Sequence, residues 1–335
     1  MKRLILVLTA ICVTLSYTNA QKVVIAYTYA GKRDVPLPDP TYLTHINYAF
    51  AHVNDTFDGL RIENPRRLRK VVGLKRKKRD LKVILSVGGW GSGNFSEMAA
   101  DSALRWHFCE DCRKTVRRFR LDGIDIDWEY PGSSVARISS SPDDTHNYTL
   151  LMHDLRKALG PDKILSQATV CEAKFIDFAE VDPYVSYTNA MTYDLGNPPY
   201  HNSPLYWSEY VNPHSMPVDD GIKAHLASGI PPEKLVMGLA FYGHRAKGFP
   251  RRVHMSKAHL LDGYTYRWDE KALVPYMTSD ETGELVLGFE NEKSLRAKCR
   301  YILEKGLLGA MYWSYEGDTE DGDLRKEVYT ILNPE

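Results

Sequence analysis

Three acidic side chains occupy alternate positions in the segment LDGIDIDWEYP, residues 121–131. They are Asp125, Asp127 and Glu129, and apolar residues stand between them. Alternate side chains of a strand point to the same face, so neighbouring carboxylates would lie roughly 7 Å apart. Like charges at such a separation disfavour joint ionisation and raise at least one pKa. The spacing therefore predicts a site in which at least one carboxylate keeps its proton.

Paired carboxylates are typical of glycoside hydrolysis, where they stand on opposite sides of the scissile bond. Acids on a single strand approach a sugar from one side only. Glu129 could protonate the leaving oxygen, but Asp127 would be poorly placed to attack from the opposite face. We therefore expect the nucleophile to be the 2-acetamido group of the substrate itself, as in substrate-assisted glycosidases.

A metal site is the alternative chemistry for the same carboxylates, because Mg²⁺ and Ca²⁺ prefer oxygen ligands. Nothing near the segment supplies a phosphate cradle or the glycine pattern of a calcium loop. We favour a site without metal or cofactor.

The elements that would position the acids alternate between strand and helix along the chain. Helical patterns separate most of the strands, at residues 66–79, 103–118, 148–159 and 294–305. Eight short apolar runs predict strands at residues 23–29, 45–51, 82–87, 123–128, 164–169, 185–191, 235–241 and 308–313. This order predicts an α/β fold, a closed parallel (β/α)8 TIM barrel. An open doubly wound sheet is the alternative, but no glycine-rich phosphate loop follows the first strand.

Aromatic residues mark the ends of the predicted strands, where the active groups of such a barrel collect. Flat apolar rings beside carboxylates suit sugars, which present C–H faces and a rim of hydroxyl groups. These residues are Tyr27, Tyr29, Phe50, Trp90, Tyr193, Tyr242 and Trp313.

Two intervals are too long for a plain connecting helix. Residues 192–234 suggest a long aromatic loop, and residues 242–306 contain a small inserted β-rich segment after strand 7, at about 250–290. No linker, repeat or low-complexity tract interrupts the chain. We expect one barrel domain over residues 21–335.

The first twenty residues resemble a cleavable signal peptide, with Lys2 and Arg3 before an apolar stretch. We therefore expect a secreted or periplasmic protein, without a transmembrane segment. Four cysteines follow, and the pair Cys109 and Cys112 has CxxC spacing but no second ligand pair for zinc. A disulfide among the four is possible in an exported protein, and the sequence cannot give its pairing.

The charges balance, with 43 basic and 43 acidic residues, so no overall field directs the chain to nucleic acid or membrane. Residues 66–79 are rich in Lys and Arg, and a nucleic-acid patch is one interpretation. Because the apolar positions keep helical spacing and no aromatics intervene, we favour a solvated outer helix. We expect a monomer with no nucleic-acid partner.

Five motifs, taken together, resemble glycoside hydrolase family 18, the chitinase and chitinase-like family. DGIDIDWE (residues 122–129) matches every fixed position of its DGxDxDxE signature. SVGGW (86–90), AMTYD (190–194), GAMYWS (309–314) and INYAFA (46–51) resemble its third, sixth, eighth and second strands. The motifs stand in the family's order, and the resemblance covers about residues 23–316.

The resemblance implies a role for each matching residue. Glu129 would be the general acid and later the general base, and Asp127 would orient the acetamido group and stabilise an oxazolinium ion. Asp125 would share a proton with Asp127. The remaining positions would support the acids or bind sugar: Ser86 and Tyr27 behind Asp125, Tyr193 and Asp194 at the acetamido oxygen, Trp313 as the floor, and Phe50, Trp90, Met191 and Tyr242 around it.

Two departures from the family bear on the substrate. His244 stands where many members have arginine, in FYGH rather than FYGR. The inserted segment is short, and a short insertion favours an open cleft over a tunnel. The expected substrate is chitin or a chitooligosaccharide. The alternatives are an endo-β-N-acetylglucosaminidase that acts on N-linked glycans and an inactive chitin-binding lectin.

Overall fold

The computed structural model describes residues 21–31, 35–251 and 254–334. The predicted signal peptide lies outside the described residues. Within them, no helix is both long enough and apolar enough to cross a membrane.

Eight parallel strands form a closed barrel. The first strand pairs with both the second and the eighth, and every other strand pairs with the next one along the chain. The strands are Val23–Tyr29, His45–Val53, Lys82–Gly88, Gly123–Asp127, Ile164–Val170, Tyr187–Met191, Leu235–Ala240 and Gly309–Trp313. The predicted barrel is confirmed, and the open sheet is excluded because the first and last strands meet.

Helices surround the barrel. The predicted helix at 66–79 is α-helical only to Val72 and continues as a 3₁₀ turn, Gly73–Arg76. The α-helices are Pro65–Val72, Phe95–Ala100, Ser102–Phe119, Asp144–Leu159, Phe178–Val181, Val218–Ala227, Glu292–Glu304 and Asp323–Leu332. Further 3₁₀ turns are Pro232–Lys234, Met255–Leu260 and Tyr315–Gly317.

Local sequence explains where several helices begin. Asp101 accepts hydrogen bonds from the backbone N–H groups of Ala103 and Leu104, and Asn291 forms a capping box with Ser294. Such caps satisfy donors that would otherwise have no partner in the first turn. Helix Val218–Ala227 lies in the interval that the sequence suggests is a loop, so that expectation is wrong for its last third.

A second sheet of four antiparallel strands lies between the seventh barrel strand and helix Glu292–Glu304. Its strands are His244–Arg245, Tyr264–Asp269, Val274–Ser279 and Leu285–Gly288. A short strand, Leu60–Ile62, also pairs antiparallel with the second barrel strand.

The barrel has two apolar layers, one between the strands and the helices and one inside the barrel, and a third apolar cluster packs against the second sheet. Interior side chains include Ile25, Val236 and Met311, together with the lower part of the site. Cys109, Cys112, Cys171 and Cys299 are buried and free, so none of the described cysteines forms a disulfide. The core thus depends on apolar packing rather than on covalent links.

Candidate active site

The three predicted carboxylates ascend the fourth barrel strand in the expected order. Asp125 is fully buried in the barrel, Asp127 is 4% exposed at the strand's last residue, and Glu129 is half-buried just beyond it. Their side chains therefore form a ladder from the interior to the mouth of the barrel, at the C-terminal ends of the strands.

Asp125 is held by four hydrogen bonds. Its Oδ2 accepts from the hydroxyl groups of Tyr27 and Ser86, each at 2.8 Å. Its Oδ1 accepts from Ser166 Oγ at 2.6 Å and from Asn189 Nδ2 at 3.2 Å. Burial raises the pKa of Asp125, and these donors oppose that shift because they favour the ionised form.

The strand register explains why two serines reach Asp125. Ser86 and Ser166 are its direct neighbours on the third and fifth strands, so the three side chains lie in one layer of the barrel. Asn189 and Tyr27 complete the layer from the sixth and first strands. Ser86 is fully buried, and its hydroxyl group bonds to Asp125.

Asp127 has an unsatisfied oxygen. Its Oδ1 is buried and has no hydrogen-bond partner among the described residues. Burial, the charge of Glu129 and the charge of Asp125 all raise its pKa well above the usual range. A buried polar atom without a partner is costly, and a ligand N–H group would satisfy this one.

Glu129 has the pKa of an acid that works near neutral pH. Burial raises its pKa to about 7, the charge of Asp194 adds to the shift, and a hydrogen bond from Tyr130 opposes it. A group with a pKa near the working pH can both give and take a proton.

The glycines of SVGGW bring the third strand close to the acids. Gly88 has a φ of 126°, and a Cβ there would lie 2.0 Å from the carbonyl oxygen of Asp127. Gly89 donates a backbone hydrogen bond to the same oxygen at 2.8 Å. Only glycine fits this approach, which fixes the backbone below Glu129.

A cavity of about 650 Å³ lies beside Asp127 and Glu129. Trp313 lies in its wall, stacked on Phe50 at 5.6 Å between ring centroids and edge-on to Tyr29 at 5.1 Å. The contacts fix the indole in place, and its apolar face suits the C–H face of a sugar. Other predicted residues that line the cavity are Tyr27, Trp90, Met191, Tyr193 and Asp194.

Tyr193 is 9% exposed, and its hydroxyl donates a hydrogen bond to Met311 Sδ at 3.8 Å. Thioether sulfur is a weak acceptor. The hydroxyl is therefore available to a stronger acceptor within the cavity.

Asp194 is anchored by two donors to one oxygen. Its Oδ1 accepts from the Tyr242 hydroxyl at 2.5 Å and from His244 Nε2 at 2.9 Å. Nδ1 of His244 donates to the carbonyl oxygen of Gly196 at 2.8 Å. Burial lowers the pKa of His244, but the contacts with Asp194 and Gly196 outweigh it and hold the pKa above its ordinary value.

A second cavity, of about 540 Å³, continues on the other side of Glu129. The two cavities share Trp90, Glu129, Met191, Tyr193 and Asp194. Trp90 is 63% exposed and lies edge-on to Tyr130, which stacks on Phe175 at 5.2 Å. Glu129 therefore stands where a sugar chain crossing from one cavity to the other would place a bond.

The structure brings all twelve sequence-predicted residues together. It adds Ser166 and Asn189 below Asp125, His244 behind Asp194, and Phe175 behind Tyr130. Strand register could have indicated Ser166, whereas the other three depend on contacts across the barrel or between loops. Within the described residues, no three His, Cys, Asp or Glu side chains form a group that could hold a metal ion.

The model of the family described as Glycosyl hydrolases family 18 matches residues 17–318. The chain belongs to this family. The resemblance found in the five motifs is confirmed, and family membership supports the prediction of a glycoside hydrolase.

Relatives within the family come from bacteria and animals. Chitinase A1 of Niallia circulans is 29% identical over 87% of the chain, which spans only 55% of that protein. Chitotriosidase-1 of Mus musculus is 30% identical, with 87% of the chain and 70% of the relative covered. A solved family 18 N-acetylglucosaminidase from Paenibacillus barengoltzii is 31% identical, covers 92% of this chain and 99% of its own, and has a TM-score of 0.83.

Proposed function

We propose that the chain is a secreted, retaining hydrolase of β-1,4-linked N-acetylglucosamine polymers or oligomers, in which the substrate's own acetamido group is the nucleophile. The observation that carries this proposal is the one-sided ladder with its unsatisfied Asp127 oxygen. The names of the similar proteins, several chitinases and one N-acetylglucosaminidase, support the same substrate class. Secretion rests on residues 1–20 of the sequence alone.

In this proposal Glu129 begins the reaction as an acid. It lies between the two cavities, so it would protonate the oxygen that joins the sugar in the first cavity to the sugar in the second. The pKa of about 7 leaves a large protonated fraction at mildly acidic pH.

The acetamido group would be held by two residues. Asp127 Oδ1 would accept from its N–H, and the Tyr193 hydroxyl would donate to its carbonyl oxygen. That oxygen would then attack the anomeric carbon from the side away from Glu129, giving an oxazolinium ion. Asp127 would pass its own proton to Asp125 in this step, and the buried negative charge left on Asp127 would stabilise the cation.

Water would open the oxazolinium ion from the face of the departed sugar. Glu129, now ionised, would take a proton from that water, so the two displacements together retain the configuration. Asp125 would hold the proton from Asp127 while the oxazolinium ion lasts and would return it when the ion is opened.

The test uses three substrates with the same protein: chitotetraose, cellotetraose and a high-mannose glycoprotein. We expect cleavage of chitotetraose only, because cellotetraose lacks the acetamido nucleophile. Cleavage of cellotetraose at a comparable rate would contradict the mechanism. Release of the glycan would support the endo-β-N-acetylglucosaminidase, and binding of chitotetraose without turnover would support the lectin.

A further inference from the structure

Nine exposed basic side chains lie on two neighbouring segments of the outer surface. We call this set the basic face: Arg69, Lys70, Arg76, Lys77, Arg79, Lys114, Arg117, Arg118 and Arg120. The totals of 43 basic and 43 acidic residues conceal this concentration.

The two segments are held side by side. The guanidinium groups of Arg69 and Arg118 both lie over the ring of Phe119, at 4.9 Å and 5.4 Å from its centroid. Lys75 donates to the carbonyl oxygen of Arg120 at 3.1 Å. Cation–π contacts of this kind fix the positions of charges that would otherwise be mobile.

The basic face is at the end of the barrel opposite the proposed active site. Its segments directly precede the third and fourth strands, which begin at Lys82 and Gly123. The catalytic ladder lies at the other end of the fourth strand. Because a strand rises about 3.3 Å per residue, Asp127 is about 13 Å beyond Gly123. A neutral sugar in the cleft would not reach these charges.

The charges of the basic face are only partly offset within the described residues, where Asp39 interacts with Lys77, and Glu110 with Lys114 and Arg117, at longer range. Among the residues that the structure describes, none of the nine forms an ion pair within 4.0 Å. Of the nearby acids, Asp122 is paired with Lys75 and Glu110 with Arg113, and Asp80 is exposed beside Arg79. The nine basic residues outnumber these acids, so the excess positive charges repel one another, and an anionic surface would relieve that repulsion.

The face includes a concavity with an apolar rim. Arg69, Lys70, Arg76 and Lys77 line a pocket of about 470 Å³, into which Asp39 also faces. Leu37, 39% exposed, lies at its edge. Interfacial amphipathic helices likewise present cations beside apolar side chains such as leucine to an anionic bilayer.

We propose that the basic face docks the protein on an anionic lipid surface and leaves the sugar cleft directed away from it. Each Lys or Arg near such a surface adds about 1 kcal/mol of attraction, and the effect decays within a Debye length. Nucleic acid fits less well, because the aromatic ring of the face, Phe119, is 4% exposed beneath two guanidinium groups and cannot stack on bases. This inference is independent of the proposed hydrolase activity.

The test is sedimentation of the full chain with lipid vesicles of two compositions, phosphatidylcholine alone and phosphatidylcholine mixed with phosphatidylglycerol. We expect binding to the mixed vesicles only, with loss of binding as NaCl is raised. Replacing Arg69, Lys70, Arg76 and Lys77 by Ser should weaken that binding by about 10³-fold. The matched control replaces four exposed basic residues elsewhere, Lys257, Lys271, Arg300 and Lys326.

The control variant loses the same total charge, so it should retain most of its binding if position matters. Equal losses in the two variants, or no binding of the unaltered chain to the mixed vesicles, would overturn the proposal. So would stronger binding to double-stranded DNA or heparin than to the vesicles. Arg76→Glu alone should lower vesicle binding in the same direction, and thermal melting of each variant shows that it is folded.

Discussion

Two substitutions on the acid ladder should differ in whether a better leaving group on the substrate restores activity. Glu129→Gln keeps the shape and hydrogen bonding of the side chain but cannot give a proton. Loss of general acid catalysis typically costs about 10²–10⁴ in rate. A dinitrophenyl glycoside needs no proton on its leaving oxygen, and it should therefore recover most of the bond-breaking step.

Asp127→Asn should not be recovered by the same substrate. Asp127 is 4% exposed, so its charge acts in a site that is screened much less than the surface. A carboxylate about 4 Å from the oxazolinium cation contributes about 4 kcal/mol at an effective dielectric constant of about 20. This corresponds to about 10³ in rate, whatever the leaving group.

The assay compares the initial burst of dinitrophenol from both variants with their steady rates on chitotetraose. The burst is needed because Glu129 also activates the water in the second step. Equal recovery of the two variants would refute the assignment of Glu129 as acid and Asp127 as stabiliser, and so would full activity in either one.

Three further outcomes follow from the site. Because Glu129 must be protonated and its pKa lies at about 7, kcat/KM should fall as the pH rises through about 7, and a pH profile that stays flat to pH 9 would contradict this role. His244→Gln removes the positive charge beside Asp194. The negative charge of Asp194 then raises the pKa of Glu129 further, so the alkaline limb of the pH profile should move to higher pH. His244→Arg keeps a positive charge there and should leave the alkaline limb near its original position. Gly238→Ala would place a methyl group 2.9 Å from the Tyr193 ring and 2.5 Å from the carbonyl oxygen of Ala190. We expect urea unfolding to show a loss of about 1–3 kcal/mol in the free energy of unfolding, and we expect a lower kcat/KM. A variant with unchanged stability and activity would show that Tyr193 has room to move.

The sequence was sufficient where a signal is local. A strand's two-residue period places Asp125, Asp127 and Glu129 on one face without knowledge of the rest of the fold. The alternation of strand and helix predicts the barrel, and the barrel in turn gathers the aromatic strand ends around the acids.

Contacts between distant strands and loops could not be predicted from the sequence. Asn189 and Asp125 are 64 residues apart in the chain, and their hydrogen bond depends on the curvature that brings the fourth and sixth strands together across the fifth. His244, on a two-residue strand of the second sheet, reaches Asp194 in the loop after the sixth barrel strand, and neither segment is long enough to show a periodic pattern. Helix Val218–Ala227 was missed because its ten residues follow an aromatic, proline-containing stretch that is typical of loops.

Participation of the acetamido group is the central claim, and it can be measured without altering the protein. A series of aryl N-acylglucosaminides would carry acetyl, fluoroacetyl, difluoroacetyl and trifluoroacetyl groups on nitrogen. Each fluorine withdraws electrons from the carbonyl oxygen and makes it a poorer nucleophile. We predict a steep, progressive fall of kcat/KM along the series, and a rate that does not change with fluorine content would contradict the account.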